Sequence, residues 1–363
     1  MHKKINTVYI LGAGFSCYAA LPTQQEIVRQ LFNHQELSGP PDINEILTAI
    51  IRDFLASVFQ VRSLDEHAPT LEDIYTCIDL SAQTGHFLGQ AYTPKKLQAI
   101  RQLLTHRIFQ ILEKRYQPSP AISQLLEHVL QKENSAFISL NWDMVLEKHL
   151  AQLSCRPDYQ CSIQPLTDFA ADNQRIPVCK LHGSANWAYC DNCKYLFFDP
   201  DTQTALHDQL FLFPHDFSLF GYTPPAASFS SLACPHCRIP HLSTHIVTFS
   251  FRKNFRTNYF SCLWHQAEML LQQADRWVFI GYSLPQADYQ FKHLLKSAQL
   301  IMGESHLPEL TVITKNNGRE LSPSVVRYLR FFGDCMSRRN IYQHGIDEYV
   351  ANHYHLPAAP PSV

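Results

Sequence analysis

Near its start the sequence has a short apolar run, Thr7 to Leu11, followed at once by Gly12-Ala13-Gly14-Phe15-Ser16. A strand that ends in a glycine turn before a helix is typical of open α/β sheets, which bind phosphate groups at that point. Glycines let the backbone approach a pyrophosphate, and amide groups at the start of the helix stabilise its charge. We therefore predict that residues 12–16 bind a pyrophosphate, with a plain glycine turn as the alternative.

This loop differs from the dehydrogenase fingerprint. Cys17 and Tyr18 follow Ser16, so the third glycine is absent. No acidic residue ends a strand about 20 residues later, where a hydride-transfer enzyme would bind its ribose. The sequence therefore does not indicate that class of enzyme.

Apolar periodicity predicts strands that alternate with helices. The predicted strands are 136–140, 178–181, 246–249, 277–280 and 310–313, and the predicted helices between them are 143–150, 260–273 and 287–298. Such alternation indicates right-handed βαβ units around a parallel sheet. We therefore predict an α/β fold with a doubly wound, Rossmann-like parallel sheet.

Two segments interrupt this alternation. Residues 39–131 repeat apolar side chains at helical spacing and predict a helical insertion. Residues 189–244 are irregular and rich in Pro, Phe, Asp and Cys. The predicted domains are a sheet core of 1–38, 132–188 and 245–340, the helical insertion 39–131, a small four-cysteine zinc module 189–244, and a C-terminal helix and tail 341–363.

The irregular segment contains two C-x-x-C pairs, Cys190 with Cys193 and Cys234 with Cys237. Four thiolates at such spacing suit a tetrahedral structural zinc ion and leave no open position for catalysis. The alternatives are four unrelated cysteines and a former zinc site that no longer binds metal. We predict that these four residues bind zinc, because two such pairs in one segment are typical of zinc sites.

Polar residues follow three of the predicted strands. Asn141 and Asp143 come after the second strand, His182 after the third, and Gly281-Tyr282-Ser283 after the fifth. Side chains at strand ends of such a sheet point into the ligand crevice. Asn141 could hold a sugar hydroxyl or a water, and His182 could act as a base near neutral pH. The alternatives are helix capping for Asp143, a structural histidine, and a helix-dipole role for Asp288 beyond the last turn.

Composition excludes several classes of protein. A hydrophobic content of 45% is too high for a disordered chain, and 30 basic against 32 acidic residues do not indicate direct nucleic-acid binding. An odd count of 11 cysteines favours a reducing compartment. No signal peptide and no apolar run of about 18 residues is present. We expect a cytoplasmic protein without membrane association.

Taken in order, the motifs resemble those of the sirtuin superfamily. Residues 12–16 resemble its first nucleotide loop, Leu140-Asn141-Trp142-Asp143 its Asn-x-Asp motif, and Leu181-His182-Gly183-Ser184 its catalytic His-Gly motif. The two cysteine pairs are similar to its zinc knuckles. The resemblance covers about residues 7–333 and implies NAD as substrate, structural zinc, and Asn141, Asp143 and His182 as catalytic residues.

Two further motifs extend the resemblance. Gly281-Tyr282-Ser283 resembles the later nucleotide turn of the superfamily, and Thr314-Lys315-Asn316 resembles its strand-end asparagine. The resemblance implies that Gly281, Ser283 and Asn316 bind the adenosine side of NAD, and that Gly12, Ala13, Gly14, Phe15 and Ser16 hold the pyrophosphate.

The motifs of the protein deacylases are absent at two places. Deacylases follow the first loop with Ile-Pro-Asp-Phe-Arg, where this chain has Leu21-Pro22-Thr23-Gln24-Gln25, and Phe249-Ser250-Phe251 replaces Phe-Gly-Glu in the acyl-peptide groove. Phe15 and Tyr282-Ser283-Leu284-Pro285 instead resemble the sirtuin-like domains of bacterial antiphage defence. That resemblance implies an NAD glycohydrolase gated by homo-oligomerisation or by a partner ATPase. The alternatives are an NAD-dependent deacylase and a non-catalytic sensor of NAD or ADP-ribose.

Overall fold

The computed structural model describes residues 4–33, 39–63, 68–167, 174–201, 212–225, 229, 232–240, 242–244, 246–248, 258–286, 288–316 and 321–354. The strands are β1 Thr7–Leu11, β2 Ser135–Ser139, β3 Cys155–Asp158, β4 Gln164–Pro165, β5 Gln174–Lys180, β6 Trp187–Tyr189, β7 Leu196–Phe198, β8 Arg276–Ile280, β9 Glu309–Ile313 and β10 Ile341–Tyr342. The α-helices are α1 Ala13–Ser16, α2 Gln24–Gln30, α3 Pro41–Phe59, α4 Leu71–Thr84, α5 Pro94–Arg115, α6 Pro120–Lys132, α7 Val145–Gln152, α8 Pro214–Ser218, α9 Asn258–Gln273, α10 Tyr289–Met302, α11 Pro323–Phe332 and α12 Ile346–Tyr354.

Seven of these strands form one parallel sheet in the order β10-β9-β8-β1-β2-β5-β3. The strand β1 is central, with β2, β5 and β3 on one side and β8, β9 and β10 on the other. The order therefore reverses beside β1, and doubly wound sheets bind their ligands at such a switch point. This arrangement confirms the predicted α/β fold class with a doubly wound parallel sheet.

Helix starts follow the local chemistry of the sequence. Thr23 and Glu26 form a reciprocal capping box at the start of α2, in which the Thr23 N–H donates to Glu26 Oε2 over 2.7 Å. Ser119 caps α6, and Pro120 is its first residue. A proline at the first helical position loses no hydrogen bond, because that N–H has no partner within the helix. The described helices include none that is both long and apolar enough to cross a membrane.

The strand predicted at 246–249 is wrong for residues 246–248, and residue 249 lies outside the described residues. These residues belong to no strand because other groups take their hydrogen bonds. The Val247 N–H donates to the His182 carbonyl over 3.0 Å, and the Val247 carbonyl accepts from Trp142 over 3.1 Å. The segment predicted to be irregular, in turn, contains β7 and α8, which are too short to give a periodic signal.

The two predicted insertions share one hydrophobic core. Buried residues of α3 and α5, such as Phe54 and Leu104, belong to the same cluster as Phe197 and Phe217 from the cysteine-bearing segment. Trp142, which follows β2, also lies in this cluster. The last helix of the predicted insertion, α6, instead packs its buried residues into the core of the sheet. The structure thus has a sheet body and a smaller body, and the loop after β2 reaches both.

A candidate active-site cleft at the carboxyl edge of the sheet

A cleft lies where the loops after β1, β2, β5 and β8 meet, beside the switch point. It encloses about 120 Å³. Its walls come from both bodies, since the apolar side chains Ile108 and Leu112 of α5 face the loops of the sheet. The residues that line it are Gly12, Ala13, Ser16, Leu21, Pro22, Gln24, Ile27, Glu72, Ile108, Leu112, Leu140, Asn141, Trp142, Asp143, His182, Gly281, Tyr282, Ser283, Pro285 and Asp288.

Asn141, Ser16 and Asp143 form a chain of hydrogen bonds across two strand ends. Asn141 Nδ2 donates to the Gly12 carbonyl over 2.9 Å and to Ser16 Oγ over 3.0 Å. Ser16 Oγ in turn donates to Asp143 Oδ2 over 2.7 Å. The amide orientation of Asn141 follows from the Gly12 carbonyl, which can only accept. Within the described part of the chain, Asn141 Oδ1 accepts no hydrogen bond, so it can accept one from a ligand hydroxyl or a water.

Asp143 has a structural role as well. Its Oδ1 accepts from the Val145 N–H over 3.1 Å at the start of α7. The N-cap residue of α7 is Met144, so Asp143 lies one position before the cap, and its hydrogen bond satisfies the first N–H of the helix. Because each of the two oxygens accepts a hydrogen bond, Asp143 connects the first loop to α7 and lines the cleft at the same time.

His182 is buried, with about 7% of its side chain exposed. Its Nδ1 lies 3.0 Å from the carbonyl oxygen of Leu140. A carbonyl only accepts, so Nδ1 carries the proton and Nε2 is the basic nitrogen of the neutral ring. Nε2 lies 3.9 Å from Asp288 Oδ1. The imidazole is therefore held in the tautomer that a general base at Nε2 requires.

A buried ion pair supports the loop that carries Asn141 and Asp143. Lys180, the last residue of β5, lies 3.0 Å from Glu147 of α7, and each side chain is about 1% exposed. Lys180 Nζ also donates to the Asp143 carbonyl. Glu147 accepts from Tyr159 over 3.4 Å. This network ties β5, α7 and the Asp143 backbone together beneath the cleft.

The glycines of the two loops pack against each other. A Cβ on Gly14 would lie 2.7 Å from Gly281 Cα, and a Cβ on Gly12 would lie 2.5 Å from Tyr282 Cα. Gly281 has a φ of +62° and its Cβ would lie 2.2 Å from the Gly14 carbonyl carbon. The close approach of the two loops thus accounts for these three glycines without a ligand, as the alternative of a plain glycine turn anticipates.

The structure brings most of the predicted site residues together. Asn141, Asp143, His182, Gly12, Ala13, Ser16, Gly281 and Ser283 all line the cleft. Gly14, Phe15 and Asn316 do not line it. Phe15 is 1% exposed and belongs to the core of the sheet. The backbone N–H of Asn316 donates to the Gln343 carbonyl over 2.7 Å, beyond the end of β9.

The four predicted metal ligands converge. The Sγ atoms of Cys190, Cys193, Cys234 and Cys237 all lie within 4.8 Å of one another, which fits a structural zinc ion. Both pairs form the same turn. Lys194 and Arg238 each have a left-handed φ, of 66° and 63°, and each donates its N–H to the carbonyl of the first cysteine of its pair.

Sequence reasoning missed three residues around the cleft. Asp288 lies at the N-cap position of α10, where the sequence suggests only a helix-dipole role, but its side chain makes no capping hydrogen bond and points to His182 and Tyr282. Tyr282 and Lys180 were given no role of their own. The available signal was a polar residue just after a strand-end turn, as at Asp288, and a lysine in an otherwise apolar strand.

No protein-family model and no curated protein matches the chain. Several solved structures are similar to it. A Sir2 homologue in complex with NAD shares 15% identity at a TM-score of 0.44 and covers 98% of this chain and 91% of its own. A mutant Sir2 homologue in complex with ADP-ribose shares 15% identity at a TM-score of 0.44 and covers 99% of this chain and 96% of its own. A sirtuin structure that concerns substrate affinity shares 16% identity at a TM-score of 0.41 and covers 97% of this chain and 93% of its own.

Proposed function

We propose that the protein is a sirtuin-like NAD glycohydrolase, which cleaves NAD to nicotinamide and ADP-ribose or its cyclic form. The observation that carries the proposal is the convergence of Asn141, Asp143 and His182 in one cleft at the switch point of a parallel sheet. The three residues come from the ends of two different strands. A site of this kind holds a ligand between loops that a rigid sheet positions.

The chemistry follows from the donor and acceptor atoms of the cleft. Cleavage of the bond between nicotinamide and ribose builds positive charge on the ribose carbon, as in glycoside hydrolysis. Asn141 Oδ1 would accept from a ribose hydroxyl or hold the water. His182 Nε2 would take the proton of that water or hydroxyl. The carboxylate of Asp143 would stabilise the developing cation.

The size of the cleft supports a proposal in which it holds one end of the dinucleotide. Its volume of about 120 Å³ is below the ~300 Å³ of pockets that enclose a drug-sized ligand. We therefore place the nicotinamide and its ribose in the cleft. The pyrophosphate would lie over the loops of Gly12 and Ser16, and the adenosine would extend toward Gly281, Ser283 and Asn316.

Zinc, where bound by the four cysteines, supplies a structural cross-link between β6, β7 and the second cysteine pair. We further propose that NAD depletion serves antiphage defence in the bacterial cytoplasm, gated by homo-oligomerisation or by a partner ATPase. This part rests on the sequence resemblance of Phe15 and of Tyr282-Ser283-Leu284-Pro285.

The test is to incubate the purified full chain with NAD and to measure free nicotinamide, with and without an acetylated peptide. The measurement is made in dilute and in concentrated protein, because assembly would gate the activity. We expect release without peptide in the wild type and a loss of about 10²–10⁴-fold in His182→Ala. His86→Ala, at an exposed position just after α4, is the matched control and should keep full activity.

Each alternative has its own result in this assay. Release that requires the acetylated peptide would indicate a deacylase. Bound NAD without release would indicate a sensor. Either result would contradict the proposed hydrolase.

A further inference from the structure

Asp288 lies at the start of α10, and its carboxylate points into the cleft. Its side chain is about 7% exposed. One oxygen, Oδ2, accepts from the Tyr282 hydroxyl over 2.8 Å. The other, Oδ1, lies 3.9 Å from His182 Nε2. The carboxylate is thus fixed at one oxygen and faces the basic nitrogen of His182 with the other.

Tyr282 is well suited to hold this carboxylate. It is 5% exposed, its ring packs edge-on against Phe291, and its carbonyl accepts from the Tyr328 hydroxyl over 2.8 Å. Burial raises the pKa of Tyr282 well above its usual value, and the Asp288 charge raises it further. The hydroxyl therefore stays protonated and donates its hydrogen bond to Asp288 Oδ2.

We propose that Asp288 is a positioning residue that orients His182 and stabilises its imidazolium form during catalysis. The inference rests on the proposed function, since it assigns a role to a neighbour of the proposed base. The proton moves from the attacking water to His182 Nε2 as the water oxygen bonds to the ribose carbon and nicotinamide leaves. Asp288 does not take the proton. Nδ1 stays bonded to the Leu140 carbonyl throughout.

The distance of 3.9 Å suits this role. Catalytic hydrogen bonds are often long without substrate and shorten in the complex. The new N–H at Nε2 needs only a small movement to reach Asp288 Oδ1. The other titratable side chains that line the cleft, within the described part of the chain, are Glu72, Asp143 and Tyr282. Asp143 accepts from Ser16 and Val145, whereas Asp288 Oδ1 lies 3.9 Å from His182 Nε2, so the distance selects Asp288 as the carboxylate placed to act on His182. The ammonium group of Lys292, one turn further along α10, also interacts with the Asp288 charge.

The experiment measures the pKa of His182 by NMR in histidine-labelled full-length protein. The His182 signal is identified by its absence in His182→Asn. An opposite charge within about 4–6 Å raises a histidine pKa, so Asp288→Asn should lower that of His182 by about 1–3 units. Asparagine keeps an acceptor for the Tyr282 hydroxyl, so the melting temperature should change little. An unchanged His182 pKa in Asp288→Asn would overturn the proposal.

Asp275→Asn is the matched control, because it also removes one negative charge. Asp275 is 66% exposed and precedes β8, at the opposite edge of the sheet. It should leave the His182 pKa unchanged. In the hydrolysis assay, Asp288→Asn should lower kcat by at most about tenfold for each unit of pKa lost, because general-base catalysis follows a Brønsted relation, with KM little changed. The acidic limb of the pH profile should move to lower pH by the same amount.

The two proposals fail separately. A wild-type protein that releases no nicotinamide would contradict the NAD hydrolase, while the NMR titration would still report whether Asp288 acts on His182. Normal hydrolysis with an unchanged His182 pKa and an unchanged pH profile in Asp288→Asn would contradict only the role of Asp288.

Discussion

Gly281→Ala tests whether the two glycine loops depend on direct contact with each other. The added Cβ would lie 2.2 Å from both the Gly14 carbonyl carbon and the Phe15 nitrogen. Both atoms are backbone, so no side chain can rotate away to make room. Either the loop after β1 or the loop after β8 has to move by about 1 Å, since real Cβ contacts stay beyond about 3 Å.

The loss of unfolding free energy expected for Gly281→Ala has two parts. Gly281 has a φ of +62°, and the left-handed conformation costs a residue with a Cβ about 1–2 kcal/mol. Overpacking against a fixed neighbour adds about 1–3 kcal/mol. We therefore expect Gly281→Ala to lower the free energy of unfolding by about 2–5 kcal/mol.

Gly89→Ala separates the two parts. Gly89 has a φ of +61°, which is nearly the same as that of Gly281, but nothing lies within 4 Å of the Cβ position. It should lose only the conformational part, about 1–2 kcal/mol. Urea unfolding followed by tryptophan fluorescence measures both variants. Equal losses in the two variants would refute the contact between the loops.

Three further perturbations probe other parts of the molecule. Metal analysis of the wild type should find about one zinc ion per chain. Cys190→Ser should lose this zinc and have a lower melting temperature, because structural zinc contributes folding free energy. Freshly purified, reduced wild-type protein without zinc would contradict the proposed zinc site. Lys180→Met should lower the free energy of unfolding by about 3–5 kcal/mol, because it leaves Glu147 buried and unpaired. The double variant Lys180→Met/Glu147→Leu should recover most of that loss. A double variant that is no more stable than Lys180→Met would contradict this explanation. Burial opposes ionisation of Glu133, but His353, Arg276 and Tyr354 hold its pKa at about 2, below the ordinary 4.5. The stability it contributes is present above pH 4.5 and is lost as the pH falls toward 2. Glu133→Gln should therefore lower the free energy of unfolding by about 3 kcal/mol at neutral pH and by almost nothing near pH 2. Urea unfolding of the wild type and the variant at a series of acidic pH values measures this difference.

The structure also changes one expectation about the catalytic variants. From the sequence, Asn141→Ala and His182→Ala should leave the melting temperature nearly unchanged, because strand-end residues do not anchor a core. Asn141, however, holds the Gly12 carbonyl and Ser16 in place. Its truncation should cost about 1 kcal/mol for each hydrogen bond lost, which differential scanning calorimetry can resolve.

Features that depend on neighbours in the chain could be predicted from the amino-acid sequence. The strand from Thr7 formed where expected. The capping box at Thr23 and the proline start of α6 are likewise local, because each depends on residues within one helical turn. The two C-x-x-C pairs likewise form the same turn at each site. The alternation of strands and helices was enough to predict a parallel sheet.

Which of these features meet depends on tertiary packing. The contact of Gly14 with Gly281, the approach of Asp288 to His182, and the shared core of the helices and the cysteine-bearing segment join residues far apart in the chain. Such contacts depend on the order in which strands pair and on how loops pack above them, and neither leaves a periodic trace in the sequence. Asp288 shows the difference most clearly. Its position at the start of α10 allows a helix cap, but the packing of Tyr282 turns its carboxylate toward His182 instead.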